Sequence, residues 1–389
     1  MTVILFQMNE KCLAFNAQVE SDQVWNHRLH KSLVEMNASL YKPAEENYQR
    51  TSGSKTYHIS FYNTAPYITL TPHVIESVDF NKCEFKNCIL VHDEKDTRFS
   101  DAVIFDGRFL GTENVAKPPL RPPEQVWIFA AHESPAYYKV HSTKWMESPW
   151  KSSFNWTMTY DKSNSDIFLP YGEIRQHPEG HNNNNRNFTE IALQKTDGAL
   201  IVVSHCDTDG KREVYLNELK KYFPIKVLGK CGEKWDCGHQ YTHDDCFDIL
   251  LNTTYKFYLA FENSLCREYY TEKFFENYNN DILFITRGGF KNDSLTRFPK
   301  SSHISTDQFK SAKALGEYMT KIANDPSLLA RLLKDKSQYY EVGYEETYPR
   351  AMCQLCTMLN NHHLFRRRIP ATGTWAYISN PCRKPDDLN

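Results

Sequence analysis

Apolar residues along this chain collect in short runs separated by polar, glycine- and proline-containing stretches. In the first half these runs are Tyr57–Tyr62, Cys88–His92, Ala102–Phe105 and Val126–Ala130; in the second they are Ala199–Val203, Ile225–Leu228, Lys256–Phe261 and Ile282–Thr286. Short apolar and aromatic runs of this kind predict buried strands. Between the later runs, Arg212–Phe223 sets Tyr215, Leu216, Leu219, Tyr222 and Phe223 on one side of a helix. Asp307–Asn324 and Ser327–Tyr340 also read as helices. Strand alternating with helix predicts a parallel sheet with helices outside it.

No internal repeat is visible. Residues 1–55 show little periodicity and read as a poorly ordered lead-in or stem. The polar tract His181–Arg186 predicts an exposed loop, and a domain junction falls near 190–198. The expected organisation is a stem over 1–55, an N-terminal Rossmann-like domain over 56–195, a C-terminal Rossmann-like domain over 196–345, and a disulfide-bearing tail over 346–389.

A length of 389 residues with 40% hydrophobic content supports two cored domains. A formal net charge of −2 excludes a nucleic-acid partner held by bulk electrostatics. The aromatic content of 14% suits sugar rings as well as cores. Eleven cysteines and five N-x-S/T sequons, at Asn37, Asn155, Asn187, Asn252 and Asn292, favour an oxidising secretory compartment with these asparagines as glycosylation sites. No segment approaches the roughly 20 apolar residues that cross a bilayer, and Thr2–Phe6 is too short for a signal-peptide core.

The stretch Tyr255–Gly289 carries the densest chemistry. A strand ends in Glu262-Asn263-Ser264, a helix opens at Thr271-Glu272-Lys273 with Thr271 as N-cap, and another strand follows. Ligands of such units collect beyond the carboxyl ends of the strands. The helix N-terminus and Lys273 suit a phosphate, which points to a nucleotide or nucleotide-sugar site. An ordinary βαβ unit with a solvated turn fits the same spacing.

The wording of this stretch, YKFYLAFENSLCREYYTEKFF, resembles the donor-site signature of the α1,3-fucosyltransferases, glycosyltransferase family ten. Glu268 stands where the family usually has Asp, and Phe284 where the next strand often has Pro. Three further segments are similar to family blocks. His132-Glu133-Ser134-Pro135 resembles F-E-S-P with His132 replacing Phe. Phe154–Tyr160 with Ser165-Asp166-Ile167 and Pro170-Tyr171-Gly172 resembles F-N-W-T-x-x-Y and S-D-I…P-Y-G. Val203-Ser204-His205-Cys206 with Arg212 resembles V-S-N-C…R, with His205 replacing Asn. The resemblance covers roughly residues 85–360.

The resemblance implies two Rossmann-like α/β domains facing a cleft, the glycosyltransferase B architecture. It implies an inverting α1,3-fucosyltransferase that moves L-fucose from GDP-fucose to an N-acetylglucosamine residue of a glycan. Glu133 is the expected general base, since a carboxylate at a strand tip can take the proton of a poorly nucleophilic hydroxyl. The expected donor-binding residues are Ser204, Arg212, Tyr258, Glu262, Asn263, Tyr269, Glu272 and Lys273, with Arg212 and Lys273 on the diphosphate. Glu262 reads equally as a helix cap or half of a structural ion pair. No cofactor and no divalent metal is expected, and GDP-fucose is a substrate. The implied setting is the Golgi lumen, with a membrane contact only through an N-terminal anchor that this sequence does not show. An inactive relative that binds glycans as a lectin-like module is the alternative.

Two other patterns compete. Asp207-Thr208-Asp209 matches the D-x-D of metal-dependent transferases but sits in a turn with glycine, and is expected to be surface loop. Cys231, Cys237, His239, His243 and Cys246 offer zinc ligands. The remaining cysteines favour disulfides instead, with Cys83–Cys88 and a Cys353 or Cys356 bond to Cys382 as plausible pairs. Connectivity cannot be derived from sequence, and an odd count leaves one thiol free or paired between chains.

Overall fold

The structure, a computed structural model, describes residues 55–62, 77–91, 97–107, 110, 118–141, 149–179, 186–234, 245–365 and 382–388. The expected stem, apart from Lys55, lies outside the described residues, as do Asn37, Cys237, His239 and His243. Lys55–Asn389 forms one compact unit.

Two parallel sheets organise that unit. The first runs β2(Cys88–Val91)-β1(Tyr57–Phe61)-β3(Ala102–Asp106)-β4(Val126–Ala131)-β5(Trp156–Thr159)-β6(Ile167–Phe168). The second runs β12(Ile304–Ser305)-β11(Leu283–Arg287)-β10(Tyr255–Phe261)-β8(Asp197–Val202)-β9(Ile225–Leu228). All eight expected strands are present within a residue or two.

Strand alternation explains why both sheets are covered. On β3 and β4, Ala102, Ile104, Val126 and Ile128 face one core, while Val103, Phe105, Trp127 and Phe129 face another. On β10, Phe257, Leu259 and Phe261 share a core with Leu283 and Ile285 of β11. Tyr258 and Ala260 share the opposite one with Phe284. Phe284 is therefore a core ring, in register with Tyr258 of β10.

Three expectations change. Ser327–Tyr340 is not one helix. Asp325 caps a helix over Pro326–Lys336, with its side chain accepting from the Leu328 N–H. Tyr339–Val342 then forms β13, antiparallel to β7(Glu173–Gln176). These two strands form a separate ribbon.

The second change concerns the C-terminal segment. Tyr344–Asn360 is a 17-residue helix whose Tyr348, Ala351, Met352, Leu355, Cys356 and Leu359 pack into the core of the first sheet. The chain thus leaves the second sheet and completes the first.

The third concerns the cysteines. Cys83 bonds Cys353 and Cys88 bonds Cys356, so neither Cys83–Cys88 nor a Cys353 or Cys356 bond to Cys382 exists. Cys353 and Cys356 lie three apart on one helix face, opposite the start of β2. Cys382 bonds Cys266, and Cys206 bonds Cys231. Cys246 is also disulfide-bonded. Cys231 and Cys246 are thereby removed from the zinc set, and among the described residues no cluster could hold a metal ion.

Candidate active site

Read in chain order, the second sheet has strand order 2-1-3-4-5, and its order reverses between β8 and β10. Open parallel sheets bind ligands in the crevice at such a point, outside the carboxyl ends of the strands. The loop after β8 bears Ser204, His205 and Arg212. The loop after β10 bears Glu262, Asn263, Tyr269, Glu272 and Lys273. The Gly210 N–H donates to the Asn263 carbonyl at 2.7 Å, so the two loops touch. Both are pinned by disulfides, at Cys206 and at Cys266.

Arg212 opens the helix Arg212–Leu219 and is 3% exposed. Its Nη1 donates to the Phe261 carbonyl at 3.1 Å and its Nη2 to the His205 carbonyl at 3.0 Å. Its Nε has no hydrogen-bond partner. Among the described residues no carboxylate forms an ion pair with it. Burial pulls its pKa down, against the opposing field of Glu262. A buried cation without a counter-ion is costly, and the cost disappears when an anion arrives.

Glu262 is fully buried. Its Oε1 accepts the Thr271 N–H at 2.8 Å, and Thr271 Oγ1 donates to the carboxylate at 3.0 Å. Glu262 therefore caps the helix. Thr271 occupies the N-cap position, but its hydroxyl makes no cap bond and points to Glu262 instead. The helix itself, Glu272–Phe275, is a single turn. A dipole that short contributes little, so the positive charge here belongs to side chains.

Lys273 Nζ lies 2.7 Å from Glu272 Oε1 and 3.6 Å from Glu262 Oε2. Burial works to lower its pKa, but the two carboxylates outweigh it and hold the ammonium protonated. Burial pushes Glu262 up to about 7, against the pull of Lys273. Glu272 is held below its ordinary range by Lys273 despite the opposing desolvation. Its side chain is 45% exposed, so water screens that pair.

Glu133 follows β4 in the first sheet. The Tyr269 hydroxyl donates to Glu133 Oε2 at 2.7 Å, across the cleft. Next to it, Ser134 Oγ donates to Ser264 Oγ at 2.8 Å. Asp161 accepts from Arg267 Nη2 at 2.8 Å, and the Lys162 N–H donates to Glu268 Oε2 at 2.8 Å. The loop after β10 thus serves both sheets. Glu268, at φ 55°, holds a left-handed turn. Gly288 sits under this loop, where a Cβ would come within 2.9 Å of Glu262 Cγ and 3.0 Å of the Tyr269 carbonyl.

Eight of the expected site residues surround the β8/β10 crevice or face it: Glu133, Ser204, Arg212, Glu262, Asn263, Tyr269, Glu272 and Lys273. Tyr258 lies beneath them: it is 3% exposed, three residues short of the strand end, with its ring against Phe247 and Phe284 and its phenol within the field of Lys273, Glu272 and Glu262. The bonds from Ser264, Arg267 and Glu268 to the first sheet had no signal in the sequence, because they depend on how two distant halves meet. Asp207 pairs with Lys211 at 2.7 Å and is exposed, as a surface turn requires.

A family model described as "Fucosyltransferase, N-terminal" matches residues 56–172. One described as "Glycosyltransferase family 10 (fucosyltransferase) C-term" matches residues 192–375. The chain belongs to glycosyltransferase family 10. Among family 10 relatives, the α-(1,3)-fucosyltransferase C of Drosophila melanogaster is 31% identical over 67% of this chain and 61% of its own length. The glycoprotein 3-α-L-fucosyltransferase A of the same fly is 31% identical over 74% of this chain and 53% of its own length. The chain thus spans between half and two thirds of these relatives. A solved α1,3-fucosyltransferase with GDP-fucose superposes with a TM-score of 0.50 at 15% identity, covering 81% of this chain and 94% of that one. At that identity the likeness concerns the fold alone, an α/β arrangement of parallel sheets.

Proposed function

We propose that this protein transfers L-fucose from GDP-fucose to a hydroxyl of an N-acetylglucosamine residue, forming an α1,3 linkage with inversion. The observation that carries the reading is Arg212, a buried guanidinium with no ion-pair partner among the described residues, placed at the switch point of the sheet whose Tyr269 donates to Glu133. The diphosphate of a nucleotide sugar supplies the missing anion. A relative of known structure was solved with GDP-fucose, and the curated relatives are named as α1,3-fucosyltransferases.

In this mechanism Glu133 takes the proton of the acceptor hydroxyl. The freed oxygen attacks the anomeric carbon as its bond to the diphosphate breaks, and GDP leaves from the opposite face. Negative charge grows on the departing phosphate oxygens, where Arg212 and Lys273 stabilise it. Tyr269, Glu272 and Asn263 line the sugar and ribose ends of the donor. The two cations, rather than a divalent metal, carry the diphosphate charge in this reading. The disulfides suit an oxidising secretory compartment, which in this reading is the Golgi lumen.

Incubation with GDP-fucose and a panel of N-acetylglucosamine-terminated and lactosamine-type glycans, in EDTA, tests the proposal. Fucosylated product with β-to-α inversion is expected. GDP binding without turnover on any acceptor would leave a glycan- or nucleotide-binding relative. Turnover that stops in EDTA would remove the metal-free reading.

A further inference from the structure

The residues on either side of Glu133 are anchored by groups that the mechanism does not use. On one side Ser134 is held by Ser264. On the other is His132, a buried imidazole where a phenylalanine is expected, 6% exposed. Its backbone carbonyl accepts the Tyr171 hydroxyl at 2.8 Å, and its ring lies over the Tyr171 ring at 3.8 Å between centroids. The hydroxyl of Tyr344 meets the imidazole edge, 2.6 Å from Nδ1 and in contact with Nε2.

Tyr344 is the first residue of the helix Tyr344–Asn360, which arrives from the second sheet and is cross-linked to the first by two disulfides. Its neighbours are fixed too. Thr347 Oγ1 donates to the Pro170 carbonyl at 3.3 Å, and Arg175 and Arg350 pair with Glu346 and Glu173. The hydroxyl that reaches His132 therefore has little freedom.

We propose that His132 is a positioning residue for Glu133, locked by Tyr344 and Tyr171, so that the direction of the base is set by the helix Tyr344–Asn360. Burial holds the imidazole neutral, with a pKa near 3, so it neither competes for the acceptor proton nor adds charge beside the base. A misplacement of about 1 Å in such a group costs up to about a hundredfold in rate. The inference rests on the transferase reading above.

The test is a double-mutant cycle on kcat at saturating donor and acceptor, with KM for GDP-fucose and Tm measured for each variant. Tyr344→Phe deletes one oxygen and leaves a buried imidazole nitrogen without its partner; kcat is expected to fall about tenfold, with donor KM within about twofold. His132→Phe leaves the Tyr344 hydroxyl unpaired and falls similarly. The double variant replaces a polar pair by two apolar rings of like shape, and is expected to recover to within about threefold of the parent. A purely structural role would couple the two sites in Tm but not in kcat measured well below Tm. Full kcat in Tyr344→Phe, or losses that simply multiply in the double variant, would overturn the inference while leaving the transferase standing. Should His132→Phe not fold, the kcat against KM split of Tyr344→Phe decides alone. No turnover in the parent protein would instead remove the transferase reading and this inference with it.

Discussion

Tyr269, on the loop after β10 in one sheet, donates its hydroxyl to Glu133, at the tip of β4 in the other, at 2.7 Å. Glu133 is thus oriented by the half of the molecule that bears Arg212 and Lys273. Glu133→Gln keeps the shape and can still accept from Tyr269, but cannot take a proton. Transfer is expected to fall by about 10²- to 10⁴-fold, the usual contribution of a general base. GDP affinity, measured by calorimetry, stays within about twofold because the cations are untouched. Full turnover in this variant would remove the base assignment.

Arg212 makes a sharper test than its removal would, because its guanidinium spans two carbonyls, those of Phe261 and His205. A lysine ammonium retains the charge but not the planar fork. Arg212→Lys is expected to raise the donor KM and lower kcat by about tenfold each, with the acceptor KM little changed. Lys273→Ala removes a charge that already has two carboxylate partners. It is expected to affect donor kinetics in the same direction and also to leave Glu262 and Glu272 facing each other. Donor kinetics indifferent to both substitutions would move the diphosphate elsewhere.

The strands of both sheets were legible because each is a short apolar run, and Glu133, Arg212 and Lys273 drew notice because they stand in distinctive wording at strand ends. What was not legible depends on contacts distant in sequence. β13 reads as the end of a helix until β7 is there to pair with it. The true partners of Cys83 and Cys88 follow from the return of the helix Tyr344–Asn360 to the first sheet, which no local pattern announces. Thr271 reads as a cap by type and position, but Glu262, buried nine residues earlier in the chain, takes that role. Tyr258 belongs to the same motif but lies within the strand, its phenol buried beneath Lys273, Glu272 and Glu262.

Glu262 gives the site a pH dependence with a definite sign. Burial raises its pKa to about 7, so in the free protein it ionises as pH rises through neutrality. A diphosphate bound beside Lys273 disfavours that ionisation further. Binding then takes up a proton above pH 7, and GDP affinity is expected to be level just below pH 7 and to fall as pH rises from 7 toward 8, by at most about tenfold per unit. Glu262→Gln keeps the bond from Thr271 Oγ1 and removes the titration, so its affinity should be level across the same range. A parent protein whose GDP affinity climbs from pH 7 to 8 would contradict the burial of this carboxyl next to the phosphate site.

The sequons divide by how their amides are used. Asn155 is 9% exposed, its Oδ1 accepts the Trp127 N–H at 2.9 Å and also bonds Arg121, and its own N–H donates to the Trp127 carbonyl at 2.7 Å. Its low exposure limits the access of a sugar to its amide. Asn252 is half-buried and donates its amide to Asn280 Oδ1 at 2.6 Å while accepting the Asp281 N–H at 2.7 Å, so its nitrogen is already engaged. Asn187 and Asn292 are exposed at the N-termini of the helices Phe188–Gln194 and Asp293–Arg297. Asn187 caps its helix through Oδ1, and its Nδ2 makes only a long bond of 3.4 Å to Glu190 Oε2 at the exposed surface. Secretory expression followed by glycopeptide mapping is expected to find sugars on Asn187 and Asn292 and none on Asn155 or Asn252. A folded, GDP-binding fraction carrying a glycan on Asn155 would contradict the burial of this side chain beside Trp127.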